Sequence, residues 1–140
     1  MLRIFICAAL LATPVQAAQQ QSCQALDPDA LGPEAYGPSR EYANGRVRLV
    51  KVDIEEPTCC AVFLEVHFPV PDQEALTCTL LGQQAGNGWG AVDLEAALSS
   101  YDPGAGLEIS VPVSAFNGDT FRDETVHITI NQALGSVLVE

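Results

Sequence analysis

The chain has 140 residues, 48% of them hydrophobic and 17% charged, and its 6 Lys and Arg against 18 Asp and Glu give a formal charge of −12. So much apolar material in a chain this short describes one globular domain and excludes a disordered acidic tail. The shortage of cations excludes a nucleic-acid binder, which needs Lys and Arg to neutralise phosphates.

Met1-Leu2-Arg3 is a short basic start, Ile4 to Ala12 are apolar apart from the polarisable Cys7, and Val15-Gln16-Ala17 places small residues at −3 and −1 of a cleavage site. This pattern predicts a secretory signal peptide over 1–17 and a mature protein in the periplasm or outside the cell. The apolar run falls well short of the roughly 20 residues that cross a bilayer. No later segment could span one, so no integral membrane segment is expected after cleavage. Removing 1–17 takes away Arg3 and Cys7, which leaves a charge of −13 and four cysteines.

From Cys23 to Asn44 there is no clear period, and Pro28, Gly32, Pro33, Gly37 and Pro38 favour extended, loop-like chain. Residues 18–45 are therefore expected to be an extended N-terminal segment packing on a β-sandwich domain over 46–140. After the Asn44-Gly45 turn signal, Val47 and Leu49 alternate with Arg46 and Arg48, and then Val50, Val52 and Ile54 alternate with Lys51, Asp53 and Glu55. The inward parity slips at Leu49-Val50, and a β-bulge there would restore one inner face. Cys60, Val62, Leu64, Val66 and Phe68 share one face and Ala61, Phe63, Glu65 and His67 the other, which predicts a central strand whose second face becomes wet toward its end. Pro69-Val70-Pro71-Asp72 turns the chain, and Leu76, Cys78 and Leu80 alternate with Thr77 and Thr79 in a strand ending at Gly82. The glycine-rich stretch from Gln83 to Gly90 reads as an exposed loop.

Asp93 can cap one or two helical turns near 93–100, with Leu94, Leu98 and Tyr101 on one face and Asp102-Pro103-Gly104 ending them, although Val92 and Leu94 also fit a strand. Leu107, Ile109, Val111 and Val113 alternate with Glu108, Ser110 and Pro112, the proline favouring an edge position. Val126, Ile128 and Ile130 alternate with His127 and Thr129, and Val137 to Val139 return as a last strand after Gly135. The expected fold is all-β, an antiparallel β-sandwich of about six or seven strands with at most one short helix. It resembles the immunoglobulin class in architecture only, because the diagnostic tryptophan between two widely spaced cysteines is absent.

An even set of cysteines in an oxidising compartment, Cys23, Cys59, Cys60 and Cys78, predicts two disulfides with three possible pairings. Because adjacent residues sit closer than an ordinary bridge wants, Cys23 and Cys78 are each expected to take one of the Cys59-Cys60 pair. A simple hairpin about Asp72 would instead put Cys78 opposite Val66, roughly 20 Å from Cys60. Either strands cross between sheets or Cys78 joins Cys23, and the crossing arrangement is the expected one. Four thiols at these spacings match no zinc ligand set.

Catalytic constellations are lacking: there is no Gly-x-Ser-x-Gly, and His67 and His127 fall on outward faces. Glu65 shares a face with His67, and a hydrolytic enzyme using this pair is the least favoured reading. No cofactor is expected, since the Gly86–Gly90 loop lacks the Lys-Ser/Thr of a phosphate loop. The turn from Asn117 to Glu124 carries oxygen ligands but not a calcium-loop pattern, and it reads as a solvated hairpin rather than a metal site. Trp89, flanked by Asn87, Gly88 and Gly90, can be an interaction hot spot or can seal the core. Arg40, Arg46, Arg48 and Lys51 concentrate the cations, either to orient a partner or to protect an edge strand. The sequence therefore points to an exported, non-catalytic module that binds an envelope or extracellular protein through Trp89, Asn87, Gly88, Arg46 and Arg48. A glycan- or calcium-linked binding module and an inhibitor of a secreted hydrolase are the alternatives.

Overall fold

A computed structural model describes residues 18–27, 29, 31–55 and 59–140. The signal-peptide reading concerns 1–17 and lies outside the described residues. The described residues form ten strands: β1 (Gln19–Ser22), β2 (Tyr36–Tyr42), β3 (Val47–Asp53), β4 (Val62–Phe68), β5 (Thr77–Gly82), β6 (Ala91–Val92), β7 (Leu98–Asp102), β8 (Gly106–Phe116), β9 (Phe121–Asn131) and β10 (Ser136–Val139). They make two antiparallel sheets, one in the order β1-β5-β4-β3-β2, the other β10-β9-β8 with β6 and β7 both pairing β8. This is the expected all-β sandwich. No helix among the described residues is long and apolar enough to cross a membrane.

Residues 18–45 are more than a covering segment, because they supply β1 and β2, the two edges of the first sheet. Lacking a clean alternation, these strands left no periodic signal. Between them the chain makes a 3-10 turn at Cys23–Ala25 and lies over the outer face of β3, β4 and β5, where Leu26 and Leu31 pack near Val52, Phe63 and Leu80. The central strand β4 therefore buries both faces: Leu64 and Val66 toward the second sheet, Phe63 toward the N-terminal segment.

That double burial explains the parity slip in β3. Its register with β4 runs without interruption from Arg48 opposite His67 to Asp53 opposite Val62. Val47 and Leu49 enter the core between the sheets, whereas Val52 enters the second core beneath the N-terminal segment. The expected bulge at Leu49-Val50 is absent; the register shift lies in β2, between Tyr36 and Ser39. The strand carrying Arg48 and Lys51 is also internal, so edge protection does not account for its cations.

Pro112 likewise sits in an internal strand, β8. Its carbonyl accepts from the Asp93 amide on the side where β6 has ended and β7 has not begun. A proline offers no N–H on that side, and the neighbouring chain leaves the ladder there. The excursion, residues 93–97, is where a helix was expected. The Asp93 carboxylate does cap, accepting from the Ala96 amide, but a single turn forms and Leu98 begins β7. Pairing with β8 outweighs a weak helical preference in so short a segment.

Both lateral edges of the sandwich are tied. At one, Gln20 of β1 donates to the Val137 carbonyl of β10. At the other, Arg40 of β2 donates from Nη1 to the carbonyls of Leu94, Glu95 and Ala97 at 3.0, 3.2 and 2.7 Å. The Arg40 guanidinium also lies 5.7 Å from the centre of the Tyr42 ring. Burial raises the Tyr42 phenol pKa above its usual value, and the Arg40 charge opposes that rise. Charge-assisted bonds to the carbonyls of this turn predict that Arg40→Ala costs about 1–2 kcal/mol after allowance for partial exposure. Thermal melts should show Arg46→Ala, in the exposed turn before β3, near wild type; equal melting of the two variants would refute the clamp.

Candidate functional site

The outer face of the first sheet is only half covered. Beyond Phe63 the N-terminal segment leaves β4 open, and a hollow of about 440 Å³ forms over Val50, Glu65 and His67, walled by Tyr36, Gly37, Ser39 and Arg48. Register assembles it: Glu65 sits opposite Val50 on β3 and Leu80 on β5, while His67 sits opposite Arg48 and Cys78. The spacing of two on a strand directs Glu65 and His67 to the same face, and their side chains meet with His67 Nε2 2.9 Å from Glu65 Oε2. An ionised carboxylate only accepts, so the imidazole donates from Nε2. Glu65 is 7% exposed, the buried charged residue of the core, and His67 is its only side-chain partner among the described residues.

Cys78 Sγ lies 3.7 Å from the same His67 nitrogen and is bonded to Cys23. The expected pairing of Cys23 and Cys78 with Cys59 and Cys60 is thus corrected: the bridges are Cys23–Cys78, with Cα atoms 6.0 Å apart, and Cys59–Cys60, joined through a cis peptide. The simple hairpin between β4 and β5 holds, and it leaves Cys78 at the far end of β4 from Cys60. β1 pairs with β5 through Ser22 opposite Thr79, and the 3-10 turn that follows delivers Cys23 onto Cys78. Among the described residues no strand crosses between the sheets to rescue the alternative.

Trp89 is 2% exposed and belongs to the core between the sheets, so it cannot serve as an exposed anchor. Its amide and carbonyl pair with Val62 of β4, and the next amide, Gly90, donates to Ser114 of β8. This short crossing segment joins one sheet to the other. Gly88 is required by that approach, since a Cβ there would stand 2.4 Å from the Val62 carbonyl oxygen. Of the three neighbouring residues read as a site, only Asn87 is exposed, in a tight turn closed by reciprocal backbone bonds with Gln84.

The cations do not form one patch. Arg40 is spent on the clamp and Arg46 lies in an exposed turn, whereas Arg48 stands at the rim of the hollow. Among the described residues Arg48 has no ion-pair partner. In the Asn117–Glu124 turn, Asn117 Oδ1 accepts from the Asp119 and Thr120 amides and Arg122 lies 3.6 Å from Glu124. Its polar groups thus serve the hairpin.

Sequence reasoning found Glu65 with His67 but not their surroundings. Tyr36 and Ser39 were missed because β2 carries no periodic signal. It also missed Ser110, whose hydroxyl lies 3.0 Å from His127 Nδ1 on the exposed face of the second sheet. Folding 106–131 as one hairpin places those two residues opposite each other, which is the observed register. No protein-family model, curated protein or solved structure matches this chain, so what the hollow does has to be read from its own side chains.

Proposed function

We propose that the chain is an exported, non-catalytic interaction domain that binds a protein partner through the hollow formed by Tyr36, Ser39, Arg48, Glu65 and His67. The observation that carries this reading is the pairing of Arg48, which lacks an ion partner among the described residues, with Tyr36, 52% exposed, on the rim of one concavity. Tyrosine and arginine are the residue types that anchor interfaces, and a concave floor lets a partner side chain be desolvated. Arg48 asks for a carboxylate and Tyr36 for an apolar or aromatic neighbour, so the fitting partner segment carries an acidic residue beside an apolar one. A hydrolytic use of His67 finds less support. The sulfur 3.7 Å from its Nε2 is already in a disulfide, and an activated nucleophile must sit within hydrogen-bond reach of its base.

The test is affinity capture from the native compartment with wild type, Tyr36→Ala, Arg48→Ala and Arg46→Ala in parallel. A specific partner should be retained by wild type and Arg46→Ala and lost, by about tenfold or more in affinity, with Tyr36→Ala and Arg48→Ala. Capture that ignores both rim variants, or no partner at all, would overturn the reading.

A further inference from the structure

Glu65 and His67, on the floor of the hollow, also belong to a second arrangement that does not depend on a protein partner. Cys23 Sγ, Cys78 Sγ and a Glu65 carboxylate oxygen all lie within 4.8 Å of one another. His67 flanks this group, its Nε2 3.7 Å from Cys78 Sγ and 2.9 Å from Glu65 Oε2. These are two sulfurs, an imidazole nitrogen and a carboxylate oxygen, the donor types of a zinc site. The geometry points to a latent site for a zinc-class divalent cation, formed by Cys23, Cys78, His67 and Glu65 when the Cys23–Cys78 disulfide is reduced.

Distances support the fit. With Zn–S near 2.3 Å and Zn–N or Zn–O about 2.0–2.1 Å, the edges of a tetrahedral site are roughly 3.3–3.8 Å. The Cys78–His67 separation already falls in that range, and the His67–Glu65 hydrogen bond need only open slightly. Once the covalent bond is gone, the two sulfurs part to ordinary contact, which is about the edge that the site requires. Three neighbouring strands hold the ligands: Glu65 and His67 on β4, Cys78 opposite His67 on β5, and Cys23 directly after β1. The cation would also neutralise Glu65, whose buried carboxylate has His67 as its hydrogen-bond partner among the described residues. A thiolate pair with imidazole favours zinc over magnesium or calcium, which take oxygen ligands.

The chemistry balances with a dithiol as reductant. It gives two electrons and two protons to the S–S bond and closes its own disulfide, and the two protein thiols release their protons as the cation binds.

The experiment uses the full chain carrying Cys59→Ser and Cys60→Ser, so that the second bridge contributes no thiols. After reduction with dithiothreitol and anaerobic desalting, Co²⁺ is titrated as a spectroscopic stand-in for Zn²⁺. One Co²⁺ per chain should bind, with a thiolate-to-cobalt charge-transfer band and the intense visible bands of tetrahedral cobalt, and Zn²⁺ should displace it. The oxidised protein should give no such bands. His67→Gln and Glu65→Gln should weaken binding by on the order of 10- to 100-fold. Arg46→Ala, in the exposed turn before β3, should leave it unchanged. A reduced chain without the bands, one that stays unfolded by circular dichroism with cation present, or an affinity indifferent to His67→Gln would each overturn the proposal.

Discussion

Trp89→Ala should destabilise the domain by about 3–5 kcal/mol, the range for removing a large aromatic from a packed core. Trp89 is the largest of the fully buried side chains and lies where the crossing segment leaves β4 for β8. Its loss leaves a cavity that both sheets line, and hydrogen bonds that hold the Trp89 and Gly90 backbone against β4 and β8 prevent easy collapse. Against a total stability of about 5–15 kcal/mol, that is a large fraction. The melting temperature should fall by roughly 10–25 °C, given a few degrees per kcal/mol for a domain of this size. Asn87→Ala, two residues away in the exposed turn, should stay within about 0.5 kcal/mol of wild type. Denaturant unfolding and thermal melts would decide it: a Trp89→Ala protein that melts like wild type would return Trp89 to the surface.

The second large effect is expected from the bridge over the candidate site. Cys23 and Cys78 are separated by 55 positions, and closing a loop of that length removes denatured-chain entropy worth about 4 kcal/mol on the chain-entropy model. Cys23→Ser with Cys78→Ser should therefore lower the denaturant midpoint by an amount close to that of Trp89→Ala. It should also loosen the N-terminal segment, because the disulfide fastens the start of the covering chain to β5. Hydrogen exchange on residues 19–26 should rise in the double variant while β8 and β9 stay protected. Unchanged stability would mean that β1 pairing and the packing of Leu26 and Leu31 suffice to hold the segment.

The local rules behaved differently along the chain. Where one face is buried and the other wet, as in β8 and β9, alternation of period two identified both the strands and their inward residues. Where both faces are buried the same rule misled. In β3 the switch from Leu49 to Val52 looked like a bulge, but two different cores were taking alternate residues. The helix expected near 93–100 had a real cap in Asp93, yet the choice between helix and strand fell to β8, whose Pro112 leaves a gap just where the capped turn departs. The site shows the same division. Glu65 and His67 were legible as a pair from their spacing alone, whereas their position beside a disulfide and under Tyr36 depends on strand order and register.

The cysteines mark the boundary most sharply. The strain of joining neighbours was a property of the chain, and with the expected loss of Cys7 it argued for bridges from Cys59 and Cys60 to Cys23 and Cys78. The hairpin geometry argued the other way, and it prevailed: strand pairing fixes sulfur positions over tens of ångströms, whereas the strain of joining neighbours is local. The amino-acid sequence by itself determined the class of the domain, its acidity and most of its inward faces. These follow from composition and from short-range periodicity. Only the tertiary structure decided that Trp89 is core, that Arg40 is a clamp, and that Arg48, Glu65 and His67 share one hollow beside the Cys23–Cys78 bridge. Each of those depends on contacts between residues far apart in the chain, which no local pattern encodes.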